Sequence, residues 1–173
     1  MPDPSHRSEA VHASCIALGR AGLLIRGPSG SGKSTLALLL LDRAALVGTP
    51  AALVADDRVR LTCDGTAVIA HADPVLADRI EVRGLGLLRA NDTLSSVPVR
   101  LVVDLVAELP RLPERPLASV VLLDRALPAL RLDTGLLRSG LGPRLVLDAL
   151  AGCGGVALGT HRPILTLPPD PGP

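Results

Sequence analysis

The run Gly27-Pro28-Ser29-Gly30-Ser31-Gly32-Lys33-Ser34 constrains the fold more than any other stretch of this chain. It fits the phosphate-cradling pattern G-x-x-x-x-G-K-[ST], follows the apolar triplet Leu23-Leu24-Ile25 and opens a helix-forming segment. Glycines let successive backbone N–H groups converge on phosphate oxygens with no Cβ in the way. The helix N-terminus adds partial positive charge, Lys33 adds a full one, and Ser34 can offer its hydroxyl to Mg²⁺. Such a loop needs a strand ending beneath it and a helix leaving it, so the spacing predicts a strand over Gly22 to Arg26 and a helix over Lys33 to Val47, closed by Gly48 and Pro50.

The flanking pattern extends this unit. Val11 to Leu18 reads as the first strand of a hairpin with Gly22 to Arg26, and Ala51 to Ala55 as a buried strand running into Asp56-Asp57. Val59, Leu61 and Cys63, the Asp64-Gly65 turn, then Val68 and Ile69 spell a second hairpin. Further strands are expected at Arg79 to Arg83, Arg100 to Val106, Ser119 to Asp124 and Ala129 to Leu132, with a last helix over Pro143 to Leu150. Hairpins mixed with a strand-loop-helix-strand unit predict an α/β P-loop domain with a mixed sheet. The 173 residues suit one domain burying roughly 70% of its unfolded surface. Its expected limits are 11–167, with frayed tails at 1–10 and 168–173 and a stiff loop at Pro110 to Pro116.

Composition removes several function classes. The absence of Phe, Tyr and Trp excludes aromatic platforms for single-stranded nucleic acid, and a net charge of +1 offers no basic excess for a nucleic-acid partner. Cys15, Cys63 and Cys153 form no C-x-x-C pair and read as reduced, buried small residues. The longest apolar run, Leu36 to Leu41, is far short of the ~20 residues of a membrane span, and the polar start lacks a signal-peptide core. The expectation is a cytoplasmic protein with no membrane partner.

Other residues invite chemistry. Asp56 and Asp57 end a strand expected beside the P-loop strand, where a carboxylate can reach Mg²⁺ or an attacking nucleophile; a solvated turn is the alternative. On a strand, Glu81 and Arg83 project from one face while Ile80 and Val82 enter the core. That face either holds a metal and a phosphate together or is merely exposed. His12, expected to start the first strand, is either functional or structural.

The ordered set His12-Ala13-Ser14, GPSGSGKS, Leu53-Val54-Ala55-Asp56-Asp57 and Ile80-Glu81-Val82-Arg83-Gly84-Leu85-Gly86 resembles the C-terminal catalytic domain of the HPr serine kinase/phosphorylase family, in a short form without the family's N-terminal domain. The resemblance spans about His12 to Gly86 and implies a fold related to phosphoenolpyruvate carboxykinase. It implies an ATP-dependent kinase acting with Mg²⁺ on a serine of HPr, the phosphocarrier of the sugar phosphotransferase system, and a homo-oligomeric assembly. It also implies roles. Gly27, Ser29, Gly30, Ser31, Gly32, Lys33, Ser34, Thr35 and Arg83 would contact the nucleotide, and Ser34 and Glu81 would hold Mg²⁺. Asp56 would be the general base, Asp57 its support, and His12 a contact of the Asp56 carboxylate.

Two departures favour the kinase over the phosphorylase direction. Thr35 stands where an acidic residue commonly follows the P-loop serine, and Leu127 to Gly142 lacks the P-V-R-P-G-R-N-like segment linked to phosphorolysis. Rival readings are a P-loop kinase for a small metabolite and a non-catalytic ATP-binding sensor.

Overall fold

In the computed structural model, which describes residues 7–113, 117–153 and 158–165, the strand beneath the glycine-rich loop belongs to a nine-stranded mixed sheet. The elements in chain order are β1 (Ser8–Val11), β2 (Ala13–Leu18), β3 (Ala21–Arg26), α1 (Lys33–Leu46), β4 (Ala51–Ala55), β5 (Val59–Cys63), β6 (Val68–His71) and β7 (Arg79–Val82). There follow β8 (Gly86–Arg89), β9 (Ser96–Val106), β10 (Leu117–Leu122), β11 (Arg125–Asp133), α2 (Thr134–Arg138) and α3 (Leu141–Gly152). The strand path is β1-β5-β6-β9-β3-β2-β4, with β11 joined to β9 and β10 to β11, while β7 and β8 form a separate ribbon. The long strand β9 pairs antiparallel with β6 near its start and parallel with β3 and β11 farther on. The expected α/β class with a mixed sheet is the observed one.

Four local expectations need correction. Ser8 to Ala10, assigned to the frayed tail, form β1 and pair with β5; an edge strand of polar residues is held by main-chain hydrogen bonds that side-chain patterning does not register. Of the two tails, residues 1–6 and 168–173 lie outside the described residues, as do 114–116 of the expected loop. His12 occupies a bend between β1 and β2 instead of starting a strand. The strand ending in Asp56 does not adjoin the P-loop strand, because β2 lies between them. Both β3 and β4 are antiparallel to β2, so they run the same way and still end at one edge. Finally, Cys15 is buried but Cys63 and Cys153 are only partly so; all three are free thiols.

Alternation along the central strands divides the core. Ile16, Leu23, Ile25 and Leu53 face α1 and α3, meeting Leu36, Leu40, Val146 and Leu150. Cys15, Leu24, Val54 and Ala55 face the other way and pack with Val59, Leu61, Val68 and Ala129 from the sheet's own outer strands. Without aromatics, both layers are filled by small and medium apolar side chains, from Ala to Leu and Ile. Among the described residues, no helix is long and apolar enough to cross a membrane.

Candidate functional site

The loop between β3 and α1 requires its glycines. Gly30 and Gly32 have φ of +75° and +100°, in the left-handed region that L side chains rarely adopt. A Cβ on Gly32 would also stand 2.5 Å from Leu137 Cδ2 of α2, a side-chain end that can shift, so it is the backbone conformation that demands glycine there. No side chain caps α1 and no acidic residue occupies its first turn, leaving the positive end of the helix to the cleft. That cleft, about 290 Å³, is lined by Ser29, Gly30, Gly32, Lys33, Ser34, Thr35, Glu81 and Arg83. Two members of the expected nucleotide contact set, Gly27 and Ser31, are not in its lining. Gly27 turns its carbonyl to Lys33, while the Ser31 N–H donates to the Pro28 carbonyl at 3.1 Å and its buried hydroxyl finds no partner among the described residues.

The Lys33 ammonium, almost entirely buried, is within hydrogen-bond distance of three acceptors: the Gly27 and Pro28 carbonyls, each 3.1 Å away, and His12 Nε2 at 3.0 Å. Lysine has donors only, so Nε2 accepts and the His12 proton resides on Nδ1. Nδ1–H then donates to Asp57 Oδ1 at 2.9 Å. His12 therefore links Lys33 to Asp57, and not to Asp56 as the family resemblance implied. The backbone explains the switch: Asp57 has φ of +69°, and this left-handed turn sends the two neighbouring carboxylates in different directions. Asp57 goes out to His12 and stays exposed; Asp56 goes in and is buried.

Asp56 Oδ1 accepts from the Ser14 hydroxyl at 2.5 Å, both of its oxygens lie 3.0 Å from the Ser34 hydroxyl, and Oδ2 accepts from the Glu81 N–H at 3.0 Å. These donors come from β2, α1 and β7, and none carries net charge. One carboxylate thus gathers the P-loop helix and the β7–β8 ribbon, whose Glu81 and Arg83 border the cleft. Just before the loop, Arg26 makes a two-pronged contact with Asp104 of β9 at 2.8 and 2.9 Å, which raises the guanidinium pKa above its ordinary value and pins the end of β3. Burial pushes the Cys15 thiol up to about 12, so it is no nucleophile.

The cleft suits a hard cation beside phosphate, because Ser34 and Glu81 bring hydroxyl and carboxylate oxygens to one lining. No group of three or more His, Cys, Asp or Glu gathers in metal-binding geometry among the described residues.

Residues 5–115 match the model of the HPr Serine kinase C-terminal domain. The chain belongs to that family. Among its relatives, the HPr kinase/phosphorylase of Mycoplasma mycoides is 36% identical over 101 residues, a match covering 55% of this chain and 30% of that protein. The HPr kinase/phosphorylase of Bordetella pertussis is 41% identical over 91 residues, covering 52% and 28% respectively. The matched stretch is therefore under a third of the length of these curated relatives. The solved Hpr(Ser) kinase/phosphatase of Coxiella burnetii superposes with a TM-score of 0.71 at 25% identity, covering 85% of this chain and 99% of that one. The fold is accordingly that of the family's P-loop domain.

Asp104 drew no notice in the motifs, and Ser14, though part of the His12-Ala13-Ser14 set, was given no role. Ser14 had a signal of its own, a hydroxyl inside the otherwise apolar strand Ala13–Leu18, which must find a buried partner. Asp104 is a charged residue within an apolar strand, and its partner is distant in sequence.

Proposed function

We propose that this chain is an ATP-dependent kinase that transfers the γ-phosphoryl group of ATP to a serine hydroxyl of HPr. The observation that carries the reading is the Asp56 carboxylate, buried beside the P-loop and, among the described residues, held by uncharged donors. These donors fix the orientation of the carboxylate, and none of them is a cation that would bind it as an ion pair.

In this mechanism the α1 N-terminus and loop amides receive the phosphates. Lys33, released from one or more of its loop carbonyls, balances the charge between the β- and γ-phosphates. Ser34 and Glu81 would hold Mg²⁺, with Arg83 at the cleft rim. Mg²⁺, when bound, neutralises charge on the phosphate oxygens. The serine Oγ of HPr forms a bond to the γ-phosphorus as the bond to the β-γ bridging oxygen breaks, ADP leaves, and Asp56 takes the hydroxyl proton. His12, neutral and donating through Nδ1, ties Lys33 to Asp57 and keeps the ammonium at the loop. Family membership and the names of the relatives support HPr as the substrate. Incubating the purified chain with MgATP and HPr and detecting phosphoserine tests the reading. Transfer to HPr is the expected result, and no transfer to a folded HPr that another HPr kinase does phosphorylate overturns it.

A further inference from the structure

Ser14 has no role in the reading above, yet it is fully buried against the Asp56 carboxylate. Its Oγ–H makes the shortest contact of Asp56, 2.5 Å from Oδ1. A β-bulge sets up the encounter. Ile16 of β2 pairs with Leu53 of β4, but Cys15, one residue earlier, pairs with Ala55, so Val54 is an extra residue on β4. Val54 and Ala55 consequently both face the layer away from α1. The next residue, Asp56, is thereby returned to the α1 side. Uninterrupted alternation from Leu53 would have aimed Asp56 away from α1 and the loop. The same register step brings Asp56 opposite Ser14, on the face that Ile16 shares with α1.

We infer that Ser14 is a positioning residue for Asp56: its hydroxyl fixes the orientation of the carboxylate so that Oδ2 meets the Ser34 hydroxyl and the Glu81 N–H, groups of two residues that line the cleft. The inference rests on the proposed transfer reaction. The other two donors cannot do this alone. The Ser34 hydroxyl lies equally far from both carboxylate oxygens and so does not select one. The Glu81 amide sits on a separate two-stranded ribbon. Ser14 belongs to the central sheet and is the rigid anchor of the three.

The test uses the full chain with MgATP and HPr and compares wild type, Ser14→Ala and Ser14→Thr. Losing a hydrogen bond to a charged, rate-determining group should lower kcat about 10- to 100-fold in Ser14→Ala. MgATP affinity should stay within about twofold of wild type, because no residue lining the phosphate cleft has changed. Ser14→Thr retains the hydroxyl and should recover most of the lost rate. Ser14→Ala with near wild-type kcat overturns the inference. So does a parallel loss of kcat and MgATP affinity, or a Thr variant that is folded by circular dichroism and as slow as Ala; in all three the kinase reading stands. A wild-type chain that phosphorylates no HPr overturns the kinase reading and the positioning role with it, and the wild-type control identifies that case.

Discussion

Two buried carboxylates, at opposite ends of the chain's order, have contrasting surroundings. Asp56 is held by two hydroxyls and an amide and stands beside a polar cleft. Asp148 of α3, with a side chain wholly out of solvent, faces Arg144 at 3.1 Å, His161 at 2.9 Å and the Leu165 N–H at 3.2 Å. Arg144 and His161 bring Asp148 charge or a strong donor, and Arg144 also donates to the Arg162 carbonyl. The C-terminal segment 158–165 is thus tied to α3, and Thr160 ties it to the Val47 carbonyl at the end of α1. A buried carboxylate with cationic partners is compensated and serves as a strut. Asp56, beside an opening, is instead oriented by hydroxyls and an amide and forms no ion pair among the described residues.

The comparison can be broken first at the cleft. Lys33→Ala should abolish phosphoryl transfer and severely weaken nucleotide binding, measured by single-turnover assay and calorimetry, with a melting temperature near wild type. Asp56→Asn preserves shape and should lower kcat by about 10²- to 10⁴-fold while MgATP affinity is retained. If binding falls along with the rate, Asp56 acts mainly on the metal and nucleotide instead of the proton.

The opposite signature is expected at the other carboxylate. Asp148→Ala leaves Arg144 and His161 without their shared partner and should destabilise the fold by about 3–5 kcal/mol. For a domain of this size that lowers the melting temperature by roughly 6–20 °C. Activity per folded molecule should survive, and a selective loss of kcat would erase the distinction between strut and base. The smallest effect is expected for Glu81→Gln. Its backbone N–H to Asp56 remains, so only the side-chain oxygen charge is lost, and the Mg²⁺ concentration for half-maximal rate should rise several-fold. An unchanged Mg²⁺ dependence returns Glu81 to an exposed strand residue.

Much of this contrast was hidden from sequence reading. Asp148 sits in an ordinary helix repeat, Arg144-x-x-x-Asp148, which reads as a surface pair; only the docking of His161 and Leu165 makes it a buried node. Asp56 was recognisable as a candidate because it ends an apolar strand after a P-loop, but its contact with His12 was misassigned. The left-handed turn at Asp57 separates the two carboxylates, and an Asp-Asp pair in a sequence carries no sign of that turn. Glu81 lies on β7 as alternation predicts, whereas Arg83 falls in the turn just past that strand, which ends at Val82. That both border the P-loop depended on where a two-stranded ribbon outside the main sheet comes to rest.

The strand-loop-helix unit follows from local sequence, because the left-handed glycines, the lysine and the helix start are requirements of a few consecutive backbone angles. Local sequence also determined an aliphatic, aromatic-free core and the alternation that divides it into two layers. Only the tertiary structure decided which aspartate enters the site. One extra residue in β4, Val54, reverses the parity of everything after it, and a bulge is a mismatch between two strands that lie far apart in sequence. Ser14 and Asp56, separated by 42 positions, become neighbours through that mismatch, and no local propensity encodes it.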